Sequence, residues 1–522
     1  MLTIISFAFL FLLFGSFSSL FVWLCFEVFA WNIRRGNAAK RQSVFQTLNI
    51  APRDHSRLVG FFHPYCNAGG GGERVLWTAI AALQRNEPEI ISVVYSGDID
   101  ATKTQILNKV KARFDIELDP SKIHFVFLRS RKWVEDSQWP YFTLLGQSIG
   151  SIYLAYEAMS ILIPDLYIDT MGYAFTFHVA SFLGRVPVGA YVHYPTISTD
   201  MLARVRSRKK WHTNTSVVSS SAVLSKFKLL YYRIFMYYYA SSLRTASFLM
   251  VNSSWTKNHV DSILQHHDLL LDALHLLPPI TTFKLLNALF YPRMGDPPTS
   301  ARIVYPPCDT REMSSFPVTN RQHVILSVAQ FRPEKDHPAQ LRAFAELLSC
   351  YPEHTRNIGT RDPVKLVLIG GSRNEEDAQR VAGLRQLARE LKIEEHTEFI
   401  VNAAYPVVLD WLSKAGIGLS TMVDEHFGIN VVEFMAAGVI PVAHASGGPL
   451  KDIIVPFNGQ PTGKQDIMPN QPGSLQKHYI KPFHCLKRKR SLYATVLVHG
   501  LFSASLKKSS RKGGMRVGGK SG

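Results

Sequence analysis

Short β-branched and aromatic runs alternate with helical stretches along most of this 522-residue chain. The first series of runs that look like buried strands comprises Arg57–His63, Glu89–Tyr95, Lys122–Leu128, Leu166–Asp169, Val186–His193 and Ala246–Val251. The second series comprises His323–Ala329, Val364–Ile369, Glu398–Val401, Gly416–Ser420 and Val439–Ala443. Strands that alternate with helices in this way are typical of doubly wound α/β domains with parallel sheets. The sequence therefore predicts two Rossmann-like domains.

The predicted division of the chain follows from these two series and from the proline-containing stretch between them. The predicted parts are an anchor over 1–32, a first Rossmann-like domain over 33–315, a second and incomplete one over 316–463, and a divergent tail over 464–522. In doubly wound sheets, ligands bind beyond the carboxyl ends of the strands. We therefore expect the two domains to face each other across a cleft that contains the active site.

The charge of the chain is positive and unevenly distributed. The 58 Lys and Arg against 40 Asp and Glu give +18, of which +12 belongs to 456–522, where there are 13 Lys and Arg and one acid. This predicts a solvated, disordered basic tail, with binding to anionic lipid or nucleic acid as the alternative. The 46% of hydrophobic residues suffices for real cores. Five scattered cysteines without a CxxC pair support neither a disulfide framework nor a thiolate zinc site.

The N-terminus predicts a membrane-spanning helix. Leu2–Phe26 contains no charge, and as a helix at about 1.5 Å per residue it exceeds the roughly 30 Å of a bilayer's hydrocarbon core. A cleaved signal peptide with a small-residue site at Val28–Ala30 is the competing interpretation, but the run is long and has no basic leader. The first positive residues follow the run, beginning at Arg34. The positive-inside rule therefore places the body in the cytosol.

Two sequons and two further apolar stretches bear on this topology. A luminal body would offer Asn214 and Asn252 for glycosylation, so a glycosidase-sensitive mass shift would contradict the cytosolic assignment. The apolar stretches Tyr141–Leu183 and Leu229–Val251 contain turn residues or charges. We expect them to be core elements, or helices that lie on the bilayer surface, rather than further spans.

A glycine loop follows the first predicted strand, in the sequence HPYCNAGGGGERVLW. Gly69, Gly70, Gly71 and Gly72 separate that strand from a helix, so the backbone can approach a ligand closely and the helix N-terminus favours anions. A dinucleotide fingerprint fails on spacing, because the third glycine of GxGxxG would fall on Arg74. This argues against an NAD-dependent oxidoreductase. A purely structural glycine loop is the alternative.

Two loops of the second domain carry candidate phosphate contacts. In QFRPEKD, Arg332 can bind two phosphate oxygens and Lys335 adds a point charge, which suits a departing diphosphate. In IGGSRN, Gly370 and Gly371 end the next strand. Close approach of the backbone to a nucleotide fits this pair, and so does a plain turn.

The sequence EHFGINVVE holds the most specific signal. We place Glu425 in the loop before a helix and Glu433 about two turns inside it, roughly 12 Å further along the axis. Between them, the backbone amides of Phe427, Gly428 and Ile429 begin the helix and can bind a phosphate. The two carboxylates can accept hydrogen bonds from sugar hydroxyls. This spacing suits one elongated ligand that is touched at both ends.

Four motifs together carry a resemblance to a known family: HPYCNAGGGGERVLW, the HYP that begins at His193, QFRPEKDH and EHFGINVVEFMAAG. They resemble retaining GT-B glycosyltransferases of the glycogen synthase-like family, and within it the α-1,2-mannosyltransferases that act on dolichol-linked oligosaccharides. The likeness runs from the anchor to about Gly463. It implies a GT-B fold and transfer of mannose from GDP-mannose to Man3GlcNAc2, and then to Man4GlcNAc2, on dolichol diphosphate.

Residue roles are implied by the same resemblance. Glu433 would hold the ribose hydroxyls of the donor and Glu425 the mannose hydroxyls. His193, at a strand end, corresponds to the family histidine near the sugar, and a histidine satisfied within the core is the alternative. The glycine loop would lie on the acceptor side. Front-face attack, with the departing phosphate oxygen taking the acceptor proton, would retain the configuration, so no carboxylate is assigned as a nucleophile.

The cellular setting is implied as well: a single-pass protein of the endoplasmic reticulum membrane, with its catalytic body on the cytosolic side, in assembly of the N-glycan precursor. Other mannosyltransferases of that pathway are implied partners, and nucleic acid is not. No cofactor or metal is implied, because cationic side chains neutralise the diphosphate. The one DxD sequence, Asp98–Asp100, is accordingly interpreted as a loop.

Two departures from the family pattern qualify these expectations. Many relatives have an arginine where this chain has Gln330, so the role in diphosphate binding is moved to Arg332. After Gly463 the family continues into helices that complete the second domain, whereas this chain becomes basic and unpatterned. The alternative function is therefore a catalytically impaired, membrane-anchored interaction protein.

Overall fold

The computed structural model describes residues 2–50, 57–198, 201–202, 222–290, 296–355, 362–372, 374–454 and 467–468. The chain divides into two compact units, Met1–Pro307 and Cys308–Gly522. This division lies eight residues before the predicted boundary at 315. Almost all of the predicted tail over 464–522 lies outside the described residues, so its predicted disorder is not addressed.

The first unit contains a sheet of seven parallel strands in the order β3-β2-β1-β4-β5-β6-β7. The strands are β1 (Arg57–Phe62), β2 (Ile90–Ser96), β3 (Ile123–Phe127), β4 (Leu166–Asp169), β5 (Val188–Val192), β6 (Phe248–Val251) and β7 (Arg302–Ile303). In the register, Gly60 of β1 lies opposite Val93 on one side and Tyr167 on the other. All six predicted strands are confirmed, and β7 is too short for a pattern to reveal it.

The second unit repeats this arrangement with six parallel strands in the order β10-β9-β8-β11-β12-β13. They are β8 (Gln322–Val328), β9 (Lys365–Gly370), β10 (Thr397–Val401), β11 (Ala415–Ser420), β12 (Ile440–His444) and β13 (Ile467–Met468). The strand order reverses between β1 and β4 in the first unit, and between β8 and β11 in the second. Ligands of doubly wound sheets bind at such switch points.

Helices connect the strands and cover both faces of each sheet. In the described part of the first unit, the helices of six or more residues are α1 (Leu2–Thr47), α2 (Gly71–Asn86), α3 (Lys103–Phe114), α4 (Thr143–Ile161), α5 (Ala222–Leu243), α6 (Ser254–Leu264), α7 (Leu269–Leu274) and α8 (Pro278–Phe290). Those of the second are α9 (His337–Cys350), α10 (Glu375–Glu390), α11 (Tyr405–Lys414) and α12 (Ile429–Ala436). Successive residues of β1 alternate between two apolar cores, with Leu58 and Phe62 in one and Val59 and Phe61 in the other. Both faces of the sheet are therefore buried, as the apolar strands predict.

Helix α1 is longer than the predicted anchor. Its 46 residues continue past residue 32 to Thr47 without a break, so the anchor and the start of the first domain form one helix. Among the described residues it is the one helix long and apolar enough to cross a membrane. Its second half is fixed to the first unit: Arg41 binds both carboxylate oxygens of Asp165 at 3.1 and 2.9 Å, and Asn37 donates to the Ile163 carbonyl at 3.0 Å.

The two further apolar stretches contain α4 with β4 and α5 with β6, and both contribute residues to the core of the first unit. Ile149 of α4 and Phe227 of α5 are exposed, so the alternative that these helices also lie on the bilayer surface stays a prediction. The glycosylation test needs a correction at Asn252. This side chain is buried; its Nδ2 donates to the His193 carbonyl at 2.9 Å and its Oδ1 accepts from Thr256 Oγ1 at 2.6 Å. The folded chain therefore does not offer Asn252 for glycosylation on either side of the membrane. Asn214 lies outside the described residues.

Candidate functional site

The predicted donor residues gather at the switch point of the second unit. One loop, over 329–336, follows β8 and carries Arg332 and Lys335, and another, over 421–428, follows the neighbouring β11 and carries Glu425. Parallel neighbours end at the same edge of a sheet, so two loops far apart in sequence meet there. The fold thus brings the loop of the predicted cations and the loop of the first predicted carboxylate together.

Lys335 and Glu425 form a direct ion pair between Nζ and Oε2. Their side chains are 22% and 12% exposed, so the pair is shielded from bulk water but open on one side. Beside them, burial lowers the pKa of His426 to about 4 despite the nearby Glu425 carboxylate, and the Lys335 charge adds to the decrease. His426 is therefore neutral near pH 7.

A buried hydrogen-bond chain, which sequence reasoning missed, holds Lys335 in place. Gln340 Nε2 donates to Thr421 Oγ1 at 2.8 Å, and Thr421 Oγ1 donates to the Lys335 carbonyl at 2.7 Å. Both Gln340 and Thr421 are buried. A glutamine among the apolar positions of α9 is the signal that could have revealed it. These two hydrogen bonds connect the loop after β8 to the loop after β11.

Two further glycines, also missed, hold the Glu425 loop. A Cβ at Gly447 would lie 2.1 Å from the Glu425 carbonyl oxygen, and one at Gly448 would lie 2.4 Å from that of Phe427. Gly448 N donates to the Glu425 carbonyl at 2.8 Å, and Asp424 N donates to Ser446 Oγ at 2.7 Å. The SGG sequence after β12 therefore fixes the course of the loop that carries Glu425.

The start of α12 corrects the predicted depth of Glu433 in its helix. The helix begins at Ile429, after Gly428 with φ +106°, so Glu433 is its fifth residue and lies about 6 Å along the axis from the start. The predicted depth of about two turns was wrong because the residues from Glu425 to Gly428 are not helical. Asn430, which was not predicted, donates from Nδ2 to the Val328 carbonyl at 3.2 Å and fixes the helix start against β8.

The remaining predicted residues of this unit take distinct positions. Arg332 lies at the surface, with Nη1 3.8 Å from Glu334 Oε1. A close backbone contact explains the glycine at position 370, since a Cβ there would lie 2.1 Å from the Ala329 carbonyl oxygen. Gly371 has room for a Cβ, and its carbonyl accepts from Phe331 N at 3.1 Å. The nucleotide role suggested for both glycines stays a prediction.

In the first unit, the glycine loop rests on a buried acid. Helix α2 begins at Gly71, and Glu73 Oε2 accepts from Gly70 N at 2.6 Å. Glu73 Oε1 lies 3.6 Å from Nε2 of the fully buried His63, whose Nδ1 lies 2.7 Å from Thr170 Oγ1. Burial tends to raise the pKa of Glu73, but the nearby His63 ring and the amide of Gly70 outweigh it, so the pKa is lowered.

His193 lies one residue beyond β5, beside the glycine loop. A Cβ at Gly72 would lie 3.5 Å from His193 Nε2, which is ordinary contact distance. The ring packs 4.9 Å from that of Tyr191, and the side chain is partly exposed rather than enclosed in the core. The first unit therefore brings the predicted histidine and the predicted loop together.

The aspartates of the DxD sequence do not cluster with other metal ligands within the described part of the chain, where no group of three or more His, Cys, Asp or Glu could hold an ion. Asp98 pairs with Arg131 through Oδ1, and its Oδ2 accepts from Asn67 N at 2.9 Å. Asp98 thus holds the segment that leads into the glycine loop.

Two doubly wound units, the second with a cationic loop and an acidic loop at its switch point, define a GT-B glycosyltransferase. Residues 56–264 match the family described as ALG11 mannosyltransferase N-terminus, and residues 309–463 match Glycosyl transferases group 1. The chain belongs to this mannosyltransferase family. Residues 265–308 lie between the two matches.

Similar proteins support this membership. The human GDP-Man:Man(3)GlcNAc(2)-PP-Dol alpha-1,2-mannosyltransferase is 44% identical over 444 residues, which are 84% of this chain and 82% of the human protein. The Neurospora crassa protein of the same name is 42% identical over 79% of this chain and 72% of its own length. Among solved structures, the N-terminal domain of Candida albicans trehalose-6-phosphate phosphatase aligns with a TM-score of 0.51, 13% identity, and coverage of 87% of this chain and 94% of that one. At this identity the likeness concerns the fold alone.

Proposed function

We propose that this chain transfers mannose in α-1,2 linkage from GDP-mannose to Man3GlcNAc2 on dolichol diphosphate, and then to the Man4GlcNAc2 product. The observation that carries the proposal is the 44% identity to a relative of that name across both units. That identity extends over the site loops, where the ion pair of Lys335 and Glu425 joins two neighbouring strand ends.

The donor binds at the switch point of the second unit. Lys335 has three N–H donors, so it can keep its ion pair with Glu425 and still bind a diphosphate oxygen. Arg332 adds a second cation, and the amides at the start of α12 face the same edge. Together they stabilise the charge that develops on the departing GDP. We propose that this positive charge replaces a metal ion and that the reaction needs no cofactor.

The carboxylates bind the two sugars of the donor. Glu425, beside Lys335, accepts hydrogen bonds from mannose hydroxyls, and Glu433 from ribose hydroxyls. In the reaction, the bond from the mannose C1 to the phosphate oxygen breaks, and a bond from C1 to the acceptor oxygen forms on the same face. The acceptor proton passes to the departing phosphate oxygen, which gives GDP and retains the configuration.

The lipid-borne acceptor belongs to the first unit, which also carries the membrane helix. His193 and the loop Gly69–Gly72 form the polar surface assigned to it. Helix α1 crosses the endoplasmic reticulum membrane once and leaves the body in the cytosol, because its positive residues lie on the body's side of the apolar run. Other mannosyltransferases of the pathway are proposed partners.

The test is transfer of radiolabelled mannose by the full chain in detergent, with extracted lipid-linked oligosaccharide as the acceptor. GDP-mannose should give a labelled lipid product, and UDP-sugars should give none. Glu433→Ala should abolish transfer with the fold intact, whereas the exposed Glu395→Ala should leave it unchanged. No transfer by the wild-type chain would favour the alternative of an interaction protein.

A further inference from the structure

The segment Leu269–Phe290, here called the apolar segment, consists of α7, α8 and the three residues between them. It lies between the two family matches, which end at 264 and resume at 309. Its sequence, LLLDALHLLPPITTFKLLNALF, contains two formally charged residues, Asp272 and Lys284. Neither matched family therefore assigns it a role, and its composition is that of a segment that avoids water.

Helix α8 packs along the charge-free part of α1. Trp23 Nε1 donates to Asn287 Oδ1 at 3.1 Å, and the rings of Trp23 and Phe290 lie 5.1 Å apart. Seven residues earlier in α1, Ser16 Oγ accepts from Thr282 Oγ1 at 3.3 Å. The contacts advance together along both helices, so α8 runs beside α1 in the same direction.

These contacts set the depth of α8 relative to the membrane. The first charge of α1 is Glu27, which pairs with Arg34 at 3.1 Å and Arg185 at 2.7 Å. Ser16 lies eleven residues before it, or about 16 Å at about 1.5 Å per residue. A span that begins at Glu27 therefore puts Thr282 about half-way into the roughly 30 Å hydrocarbon core.

The outward side of the apolar segment is uncovered. Leu276, Leu285 and Leu289 are 74%, 68% and 70% exposed. Helix α1 also has exposed apolar residues, which include Phe17 and Phe21. Exposed leucines in water cost about 25 cal/mol per Å² of apolar surface, and in lipid that cost disappears.

The polar groups of the segment, in contrast, face the protein. Asp268, directly before α7, pairs with Arg233 of α5. Tyr237, also of α5, donates to Asp272 Oδ1 at 2.8 Å and packs against His275 at 5.2 Å between ring centroids. Lys284 is the exception; its long stem carries the ammonium toward the headgroups on the body's side, which lowers the cost of its charge at this depth.

The backbone between α7 and α8 meets the requirement of a lipid environment, where each N–H needs an internal partner. Leu276 N donates to the Ala273 carbonyl at 3.1 Å and Leu277 N to the Leu274 carbonyl at 3.2 Å. The next two residues are prolines, which carry no N–H. Ile280 N then donates to the Leu277 carbonyl at 3.0 Å.

We propose that the apolar segment is a second membrane contact, in which α8 lies beside α1 from near the bilayer midplane toward the body's side and its leucines contact lipid acyl chains. Two helices joined at Trp23 hold the first unit at a fixed orientation to the bilayer, which a single helix does not. The alternative is that a second copy of this chain covers these leucines, and an experiment has to distinguish that copy from lipid.

The test uses the full chain in phosphatidylcholine vesicles that contain a small share of phosphatidylcholine with a photoactivatable diazirine in its acyl tail. After illumination, labelled peptides are mapped by mass spectrometry. Label on 269–290 as well as on 2–26 supports the proposal. Exposed apolar residues elsewhere, Ile99 at 55% and Val318 at 47%, are the internal controls and should carry none. Label on 2–26 alone, or crosslinks from 269–290 to another chain instead of lipid, would overturn the proposal.

A double variant of the exposed leucines of α8, compared with a control variant elsewhere, tests directly whether this face contacts lipid. Leu285→Asp with Leu289→Asp should reduce label on 269–290 roughly tenfold or more, because an aspartate is strongly unfavourable in the hydrocarbon core. Ile99→Asp, on the surface of the same unit, should leave the label unchanged. Full label in the double variant would contradict the assignment of this face. Labelling needs no sugar nucleotide, so this result is independent of mannose transfer.

Discussion

Lys335 Nζ donates to Glu425 Oε2 across 90 residues of sequence, and this one ion pair connects the loop after β8 to the loop before α12. The two residues were predicted separately, as a diphosphate contact and a sugar contact. Their pairing means that they act as a unit. A change at either one alters the charge that the other presents to the donor.

Replacement of Lys335 tests this unit. Lys335→Ala removes a cation from the leaving group and leaves the Glu425 carboxylate without its partner, so we expect kcat/KM for GDP-mannose to fall roughly 100-fold or more. Glu425→Ala should also reduce it, and the double variant should lose less than the product of the two single losses. Lys365→Ala, at the exposed start of β9, is the matched control and should retain full activity. Strictly multiplicative losses would contradict the coupling.

Gly448→Ala tests the support of the Glu425 loop. The new Cβ would lie 2.5 Å from Phe427 Cα and 2.4 Å from its carbonyl oxygen, and backbone cannot move aside as a side chain can. We expect a loss of about 1–3 kcal/mol in the free energy of unfolding, measured by denaturant titration.

Gly383→Ala provides the control for that substitution. Gly383 lies inside α10 with nothing within 4 Å of the position of its Cβ, so alanine there should be neutral or stabilise by about 0.5–1 kcal/mol. Equal effects of the two substitutions would show that the Gly448 contact does not constrain the loop.

The stability of the second unit should depend on pH through His337. Burial lowers the pKa of this histidine from its ordinary 6.5 to about 4, with smaller contributions from Lys335 and Arg380. The unfolded chain therefore takes up a proton at a higher pH than the folded one, and stability falls as pH decreases from 6.5 to 4. We expect a loss of about 2 kcal/mol between about pH 7 and pH 5 from this residue. His337→Phe should reduce the dependence by this amount and leave the part due to His426, whose pKa is also lowered to about 4, whereas an unchanged pH profile would contradict the prediction.

The ion pair that joins α1 to the first unit predicts unequal losses of stability for substitutions of its two residues. Asp165 binds Arg41 and also accepts from Leu58 N at 2.8 Å. Arg41→Ala should cost less than about 1 kcal/mol, since the pair is partly exposed. Asp165→Ala should cost about 1–3 kcal/mol, because it leaves the N–H at the start of β1 unpaired. Thermal unfolding of the full chain in detergent measures both, and equal effects would contradict the role of Leu58 N.

The features that could be predicted from the sequence are those that depend on local patterns of residues. Apolar β-branched runs located all the longer strands, since strands buried on both faces have few polar residues. The cationic and acidic loops could be placed together because parallel strands end at one edge of a sheet. Two-residue strands such as Arg302–Ile303 carry no pattern of their own, and they form only where a neighbouring strand is already present.

What the sequence could not show depends on contacts between distant residues. Gly447 and Gly448 look like an ordinary turn until the carbonyls of the Glu425 loop are placed against them. The continuation of α1 past its apolar run depends on partners such as Asp165, which lies far along the chain. The depth of Glu433 in its helix was overestimated because the left-handed Gly428 delays the helix start.

The most direct test of the central claim is an experimental structure of the full chain with GDP-mannose bound. We expect diphosphate oxygens within hydrogen-bond distance of Arg332 and Lys335, ribose hydroxyls at Glu433 and mannose hydroxyls at Glu425. A donor bound away from the ends of β8 and β11, with these four side chains free of contact, would contradict the account.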